Sequence, residues 1–216
     1  MTAPSDEPAW MRRSVERSLR GATLRAQERV ESFLTAAHAV IAAKGLAEFN
    51  VQDVLDHSTH SWRSFYRRFE SKQDLLLAVF EDILAQSADR LRDTVVDDDV
   101  PALERLRTAT VALFELSSSG HPASAVHDLA ALLHVSHPAQ INAAFRPVIA
   151  VFAELTERAQ RAGALRRDAD PRRMAAMMVP AVMVAARTLG DSDERTRHPI
   201  TAEEVWGLCI DGIIQP

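Results

Sequence analysis

Hydrophobic positions recur at three- and four-residue steps along most of the chain, the spacing of one face of an α-helix. Over residues 27–44 they are Val30, Phe33, Leu34, Ala37, Val40 and Ile41. Lys44 then supplies a basic last turn, and Gly45 suits the left-handed position that follows a helix. Asn50 is placed to cap a short helix beginning at Val51, with Asp53 in its first turn and Val51, Val54 and Leu55 facing inward. That helix runs out near Ser58. Ser61 can cap a second short segment, residues 62–68, from which Phe65 and Phe69 point inward. Ser71 with Asp74 opens a longer helix striped by Leu75, Leu76, Val79, Phe80, Ile83 and Leu84.

The same period continues beyond Asp97. Leu103, Leu106, Ala109, Leu113 and Leu116 predict a helix ending at Gly120. Val126, Leu129, Ala130 and Leu133 predict a shorter one stopping near His137 and Pro138. Ile141, Phe145, Val148, Ile149, Phe152 and Leu155 predict one long helix that Gly163 ends. Asp170 and Pro171 open another, with proline in the first turn, where its missing N–H does no harm. Thr201 and Glu204 form a capping box for the last helix, through Val205, Trp206, Leu208 and Ile210. No segment alternates as a strand would. The pattern predicts an all-α chain, divided into a flexible basic arm (1–21), a three-helix helix-turn-helix unit (22–70) and a helical body (71–216).

Composition narrows the functions available. The 216 residues carry a formal charge of −5, so a uniformly basic coat is excluded. The charge is unevenly spread. Residues 1–72 hold eleven Lys/Arg against nine Asp/Glu, whereas residues 73–216 hold fourteen against twenty-one. A locally basic amino-terminal segment on an acidic body suits a small polyanion-binding module attached to something else. Cys209, the single cysteine, makes neither an internal disulfide nor a cysteine-based zinc site. The first residues have no apolar core of the kind a signal peptide needs. The longest apolar run, residues 174–186, falls short of the roughly 20 residues that span a bilayer. These features predict a cytoplasmic protein without membrane contact and without a cofactor.

Residues 50–72 carry the most chemistry. Two short helices joined by a very short turn fit a helix-turn-helix. The second must anchor one face and present polar groups on the other to a major groove about one helix wide. Phe65 is the anchor, and Trp62, Arg63, Ser64, Tyr66 and Arg67 remain available outward. Arg63 suits guanine O6 and N7, Trp62 a thymine methyl, and Tyr66 a phosphate. Lys72, opening the next helix, adds its charge to the amino-terminal amides there. With Asn50 and Ser61, these are the expected DNA-contacting residues.

This segment resembles the DNA-binding domain of the TetR (tetracycline-repressor) family. The resemblance lies in Val51-Gln52-Asp53-Val54, in Ser61, in the run from Phe65 to Phe69, and in Ser71-Lys72-Gln73-Asp74-Leu75-Leu76. It implies a homodimer whose carboxy-terminal helices bind a small molecule and thereby change the spacing of two DNA-reading heads on double-stranded operator DNA. Tyr66 and Lys72 match the family's phosphate-contacting tyrosine and lysine, and Ser61, Trp62, Arg63 and Arg67 fall in its recognition helix. Where the family usually has Ala-Gly-Val in the turn, this chain has Ser58, Thr59 and His60. A β-branched residue in place of that glycine predicts a turn distorted or set at another angle.

In the body, residues 174–186 are apolar on every face, so one side should pack inside and the other against a second subunit. Ala181, Met183 and Ala185, with Trp206 and Ile210, are the expected dimer interface, half of a symmetric four-helix arrangement. Pro180 should kink the helix. Phe114, Phe145, Ile149, Phe152, Met177 and Met178 are the expected apolar wall of an effector pocket, with His127 and His134 its polar groups. His121, His127, His134 and His137 with Asp128 are a cluster of metal-ligand type, read as surface or pocket histidines with no metal assigned. No nucleophile–base pair, paired carboxylates or cofactor fingerprint stands out, so the chain is read as a non-enzyme. The alternatives are a small helical enzyme and a partner-binding helical adaptor, and specific retention of DNA in a gel shift separates both from a regulator.

Overall fold

The computed structural model describes residues 8–118, 121–188 and 199–211. They form ten α-helices and one 3-10 turn, with no strand among them. The chain divides between Glu70 and Ser71 into two compact units.

The first unit holds α1 (Ala9–Lys44), α2 (Val51–Ser58) and α3 (Trp62–Tyr66). The helix expected from residue 27 therefore starts at Ala9, and residues 9–21 are helical where a flexible arm was expected; residues 1–7 lie outside the described residues. The reason is in the spacing. Met11, Val15, Leu19 and Ala22 keep the helical spacing of Phe33 and Ala37 backwards among arginines, although, unlike those two, their side chains are exposed. Phe33, Phe65 and Phe69 are buried together, with ring centroids 5.5–6.0 Å apart, and fix α3 against α1. Lys44 Nζ donates to Asp53 Oδ2 at 2.8 Å, tying the end of α1 to the start of α2. That bond, more than any other influence, holds the Asp53 carboxyl below its ordinary range.

α2 ends at Thr59, whose φ of 55° and ψ of 24° make it left-handed. Among the described residues no other non-glycine has a positive φ. The turn thus keeps the conformation a glycine would adopt and carries the strain of a β-branched residue instead of changing its backbone region. Thr59→Gly should relieve about 1 kcal/mol. Urea unfolding should show a higher midpoint with an unchanged slope; a lower midpoint would show that the Thr59 side chain contributes more than its backbone costs.

The second unit contains α4 (Lys72–Thr94), α5 (Ala102–Ser117), the 3-10 turn Pro122–Ser124, α6 (Ala125–Leu133), α7 (Pro138–Ala144), α8 (Arg146–Arg161), α9 (Pro171–Thr188) and α10 (Ala202–Asp211). α4 packs on α5 to α8, while α5, α8 and α9 pack on one another and α10 lies on α5 and α9. Phe80, Leu84, Leu106, Leu113, Phe152 and Val179 are the buried centre. The long helix expected over residues 141–155 is two helices, broken at Phe145. Pro147 is the cause: it has no N–H for the carbonyl one turn earlier, and it sits where a helix begins with least penalty. α5 closes at Ser117, and the expected stop at Gly120 lies outside the described residues. At α10 the capping box forms reciprocally: Glu204 N donates to Thr201 Oγ1 and Thr201 N to Glu204 Oε2. Arg107 grips Glu203 with two hydrogen bonds of 2.9 and 2.7 Å, linking α5 to α10. Pro180 sits inside α9 with its ring exposed, and the helix runs through it. No described helix is long and apolar enough to cross a membrane.

Candidate nucleic-acid interface and ligand pocket

Each short helix of the first unit is fixed by its own cap. Asn50 Oδ1 accepts from Asp53 N at 2.9 Å, and Ser61 Oγ accepts from Ser64 N at 3.3 Å. Ser71 Oγ does the same for Asp74 N at the start of α4. Asn50 also donates from Nδ2 to Asp53 Oδ2. Both ends of its amide are thus engaged at the cap. Asn50→Ala should cost about 1 kcal/mol of stability through the lost cap, measurable by denaturant unfolding, and should leave DNA sequence preference unchanged.

α3 buries Phe65 and exposes Trp62, Arg63, Tyr66 and Arg67. Trp62 and Tyr66 stack with centroids 5.7 Å apart and planes 21° from parallel, and Trp62 Nε1 donates to Gln52 Oε1 at 3.1 Å. The indole is therefore held by α2 rather than loose, with its far edge outward. Ser64 is half-buried, and its hydroxyl accepts from Arg68 Nη1 at 3.2 Å. The Arg68 guanidinium is pushed below its ordinary pKa, first by burial and then by Arg29 and Arg67. Arg29 of α1 and Arg67 thus each lie close enough to Arg68 to repel its charge. Clustered cations beside an exposed aromatic pair suit a polyanion.

In the second unit, a small cavity of about 80 Å³ is bounded by Ser117 of α5, Ala123 of the 3-10 turn, Val126 and Ala130 of α6, Phe145, and Met183 of α9. Ser124, His127, Pro180, Val184 and Arg187 complete its wall. Two of the expected pocket residues, His127 and Phe145, are there. The others are not. Phe152, Phe114 and Met178 are buried in the core, and Ile149 lines a separate surface groove with Arg146 and Glu154. His134 is exposed at the end of α6, and Met177 is 68% exposed. Helical periodicity places a side chain on a face but leaves open whether its neighbours fill the space beyond it.

The expected dimer residues divide likewise. Ala181 is exposed and Ala185 half-buried, but Met183, Trp206 and Ile210 are buried within the chain itself. Trp206 is covered because α10 folds onto α5 and α9. The exposed apolar residues are instead Met177, Pro180, Ala181 and Val184 on α9, and Leu208 on α10, the last of these 77% exposed. The histidines do not converge: among the described residues no three potential ligands are grouped to hold a metal. Arg90 Nη1 lies 2.9 Å from His121 Nε2, and burial together with that arginine pushes the imidazole below its usual pKa.

Residues 33–79 match the model of the bacterial regulatory proteins, tetR family. No curated protein matches the chain. Among solved structures, the reduced form of NemR from E. coli aligns with a TM-score of 0.65 at 17% identity, covering 88% of this chain and 98% of that one. FadR from Bacillus subtilis, in complex with stearoyl-CoA, gives 0.64 at 18% identity over 84% and 98%. SmeT, the repressor of a Stenotrophomonas maltophilia multidrug efflux pump, gives 0.62 at 19% identity over 86% and 90%. SmeT is also similar when complexed with triclosan. These likenesses extend the shared fold over both units.

Proposed function

We propose, from the premise that the amino-terminal helices are a DNA-binding domain of the tetR family, that this chain is a homodimeric repressor released from a near-palindromic operator by a small, largely apolar effector. The observation that carries the reading is α3 itself. It is a capped helix anchored by Phe65, and it offers Arg63, Arg67, Trp62 and Tyr66 from one short segment. Arg63 reads a base edge; Tyr66, Arg67 and Lys72 hold phosphates. The exposed apolar residues of α9 and α10 join two copies, so that two heads meet half-sites about 34 Å apart.

The cavity is the effector site, as ligand-bound SmeT and FadR make plausible for a chain of this fold. Its wall reaches α4. Phe145 stands edge-on to Phe80, with centroids 5.6 Å apart and planes at 81°. A ligand that displaces Phe145 presses on α4, and α4 follows the DNA-reading unit directly in the chain at Ser71 and Lys72. The ligand favours release only as far as it binds the released arrangement more tightly. Effector and operator should therefore weaken each other by one factor, corresponding to about 1–3 kcal/mol. Effector titrations with and without operator DNA measure it. Phe80→Leu should keep effector binding and shrink the factor; equal affinities in both titrations of the wild type would refute the mechanism.

A further inference from the structure

We infer that the effector carries one uncharged hydrogen-bonding group on an otherwise apolar body, and that this group pairs with Ser117 Oγ inside the cavity. The inference rests on the pocket being the effector site. Ser117 lines the cavity, is 2% exposed, and has no hydrogen-bond partner for its hydroxyl. Thr156 of α8 also lacks a partner but does not line the cavity, whereas other hydroxyls in this unit are satisfied. Ser87 donates to the Ile83 carbonyl at 2.7 Å, Thr110 to Leu106 at 2.8 Å, and Ser118 to Phe114 at 2.9 Å. That bond to the preceding turn is how a hydroxyl within a helix is ordinarily satisfied. Ser117, at the last position of α5, lacks it. A buried hydroxyl without a partner is costly, and a ligand that supplies one removes the cost on binding.

The rest of the wall sets the ligand's other features. Ala123, Val126, Ala130, Phe145 and Met183 offer only apolar surface; Ser124 Oγ already donates to the His121 carbonyl at 2.7 Å, and His127 is exposed to solvent. Arg187 of the wall is paired with Asp128 Oδ2 at 3.4 Å, so its charge is already balanced and a carboxylate gains little there over a hydroxyl or carbonyl. The volume of about 80 Å³ is near half of the roughly 150 Å³ that encloses a benzene ring. A ring therefore enters only by moving a wall residue, and Phe145, in contact with α4, is the one that connects entry to the DNA-reading unit.

Phenol and toluene have the same shape and differ in a hydroxyl against a methyl. Both are titrated into the full-length protein, into Ser117→Ala, and into Ala130→Leu, which fills the cavity. Removing an unpaired hydroxyl leaves folding intact, which thermal unfolding verifies. Phenol should bind wild type roughly 5-fold tighter than Ser117→Ala, while toluene binds Ser117→Ala at least as well as wild type, and Ala130→Leu should weaken both probes. If Ser117→Ala leaves phenol affinity unchanged, or weakens both probes alike, the pairing is wrong and the pocket reading stands. If neither probe binds wild type, or Ala130→Leu weakens neither, the pocket reading itself falls and the inference with it.

Discussion

Replacing Ala181 by arginine should separate the protein into monomers at micromolar concentration and reduce operator affinity by about 100-fold or more. Ala181 lies exposed on α9 beside the exposed Met177, Pro180 and Val184, and Leu208 of α10 is exposed as well. A guanidinium there must either stay hydrated, which holds the two surfaces apart, or be buried without a partner. Because its side chain points outward, the fold of each chain should survive, and circular dichroism should be unchanged. The loss of DNA binding follows from geometry. Two joined heads engage their half-sites with an effective concentration that gains about 10²–10⁴ in avidity, and separate heads lose it. Sedimentation should show the wild type as a dimer of about twice 23.9 kDa. A variant that remains dimeric would place the interface elsewhere.

Arg63→Ala should weaken the specific site by about 1–3 kcal/mol and flatten preference at one base pair of each half-site. Its side chain is exposed in the first turn of α3, whereas Phe65 two residues on is buried, so the substitution removes a reading group without disturbing the anchor. Lys72→Ala, in contrast, should weaken all sequences alike and reduce the dependence of log affinity on log salt by about one. Fluorescence anisotropy across a salt series, on operator and scrambled DNA, distinguishes the two. Normal specific binding by Arg63→Ala would mean that α3 is not the reading helix.

The helix-turn-helix could be read from the residues because its determinants are local. Asn50, Ser61 and Ser71 each cap a helix within three residues, and Phe65 and Phe69 declare their inward side at helical spacing. The body is different. Phe145 and Phe152 belong to one predicted stripe, yet one lines a cavity and the other is wholly buried, because Pro147 divides their helix and neighbouring elements fill one side only. On α9, residues 174–186 are apolar all round, so no moment in the sequence tells Met183, turned inward, from Met177, turned outward. Ser117 gave no signal at all. A serine near a helix end is ordinary, and only the packing around it shows that its hydroxyl is left alone.

The central claim is that α3 reads specific DNA on behalf of a symmetric dimer, and selection of genomic DNA fragments by the full-length protein tests it most directly. The account predicts enrichment of a near-palindromic sequence whose half-sites are centred about one helical turn, or about 34 Å, apart, with the enrichment lost for Arg63→Ala. Recovery of fragments with no shared sequence, or equal recovery by Arg63→Ala, would contradict it.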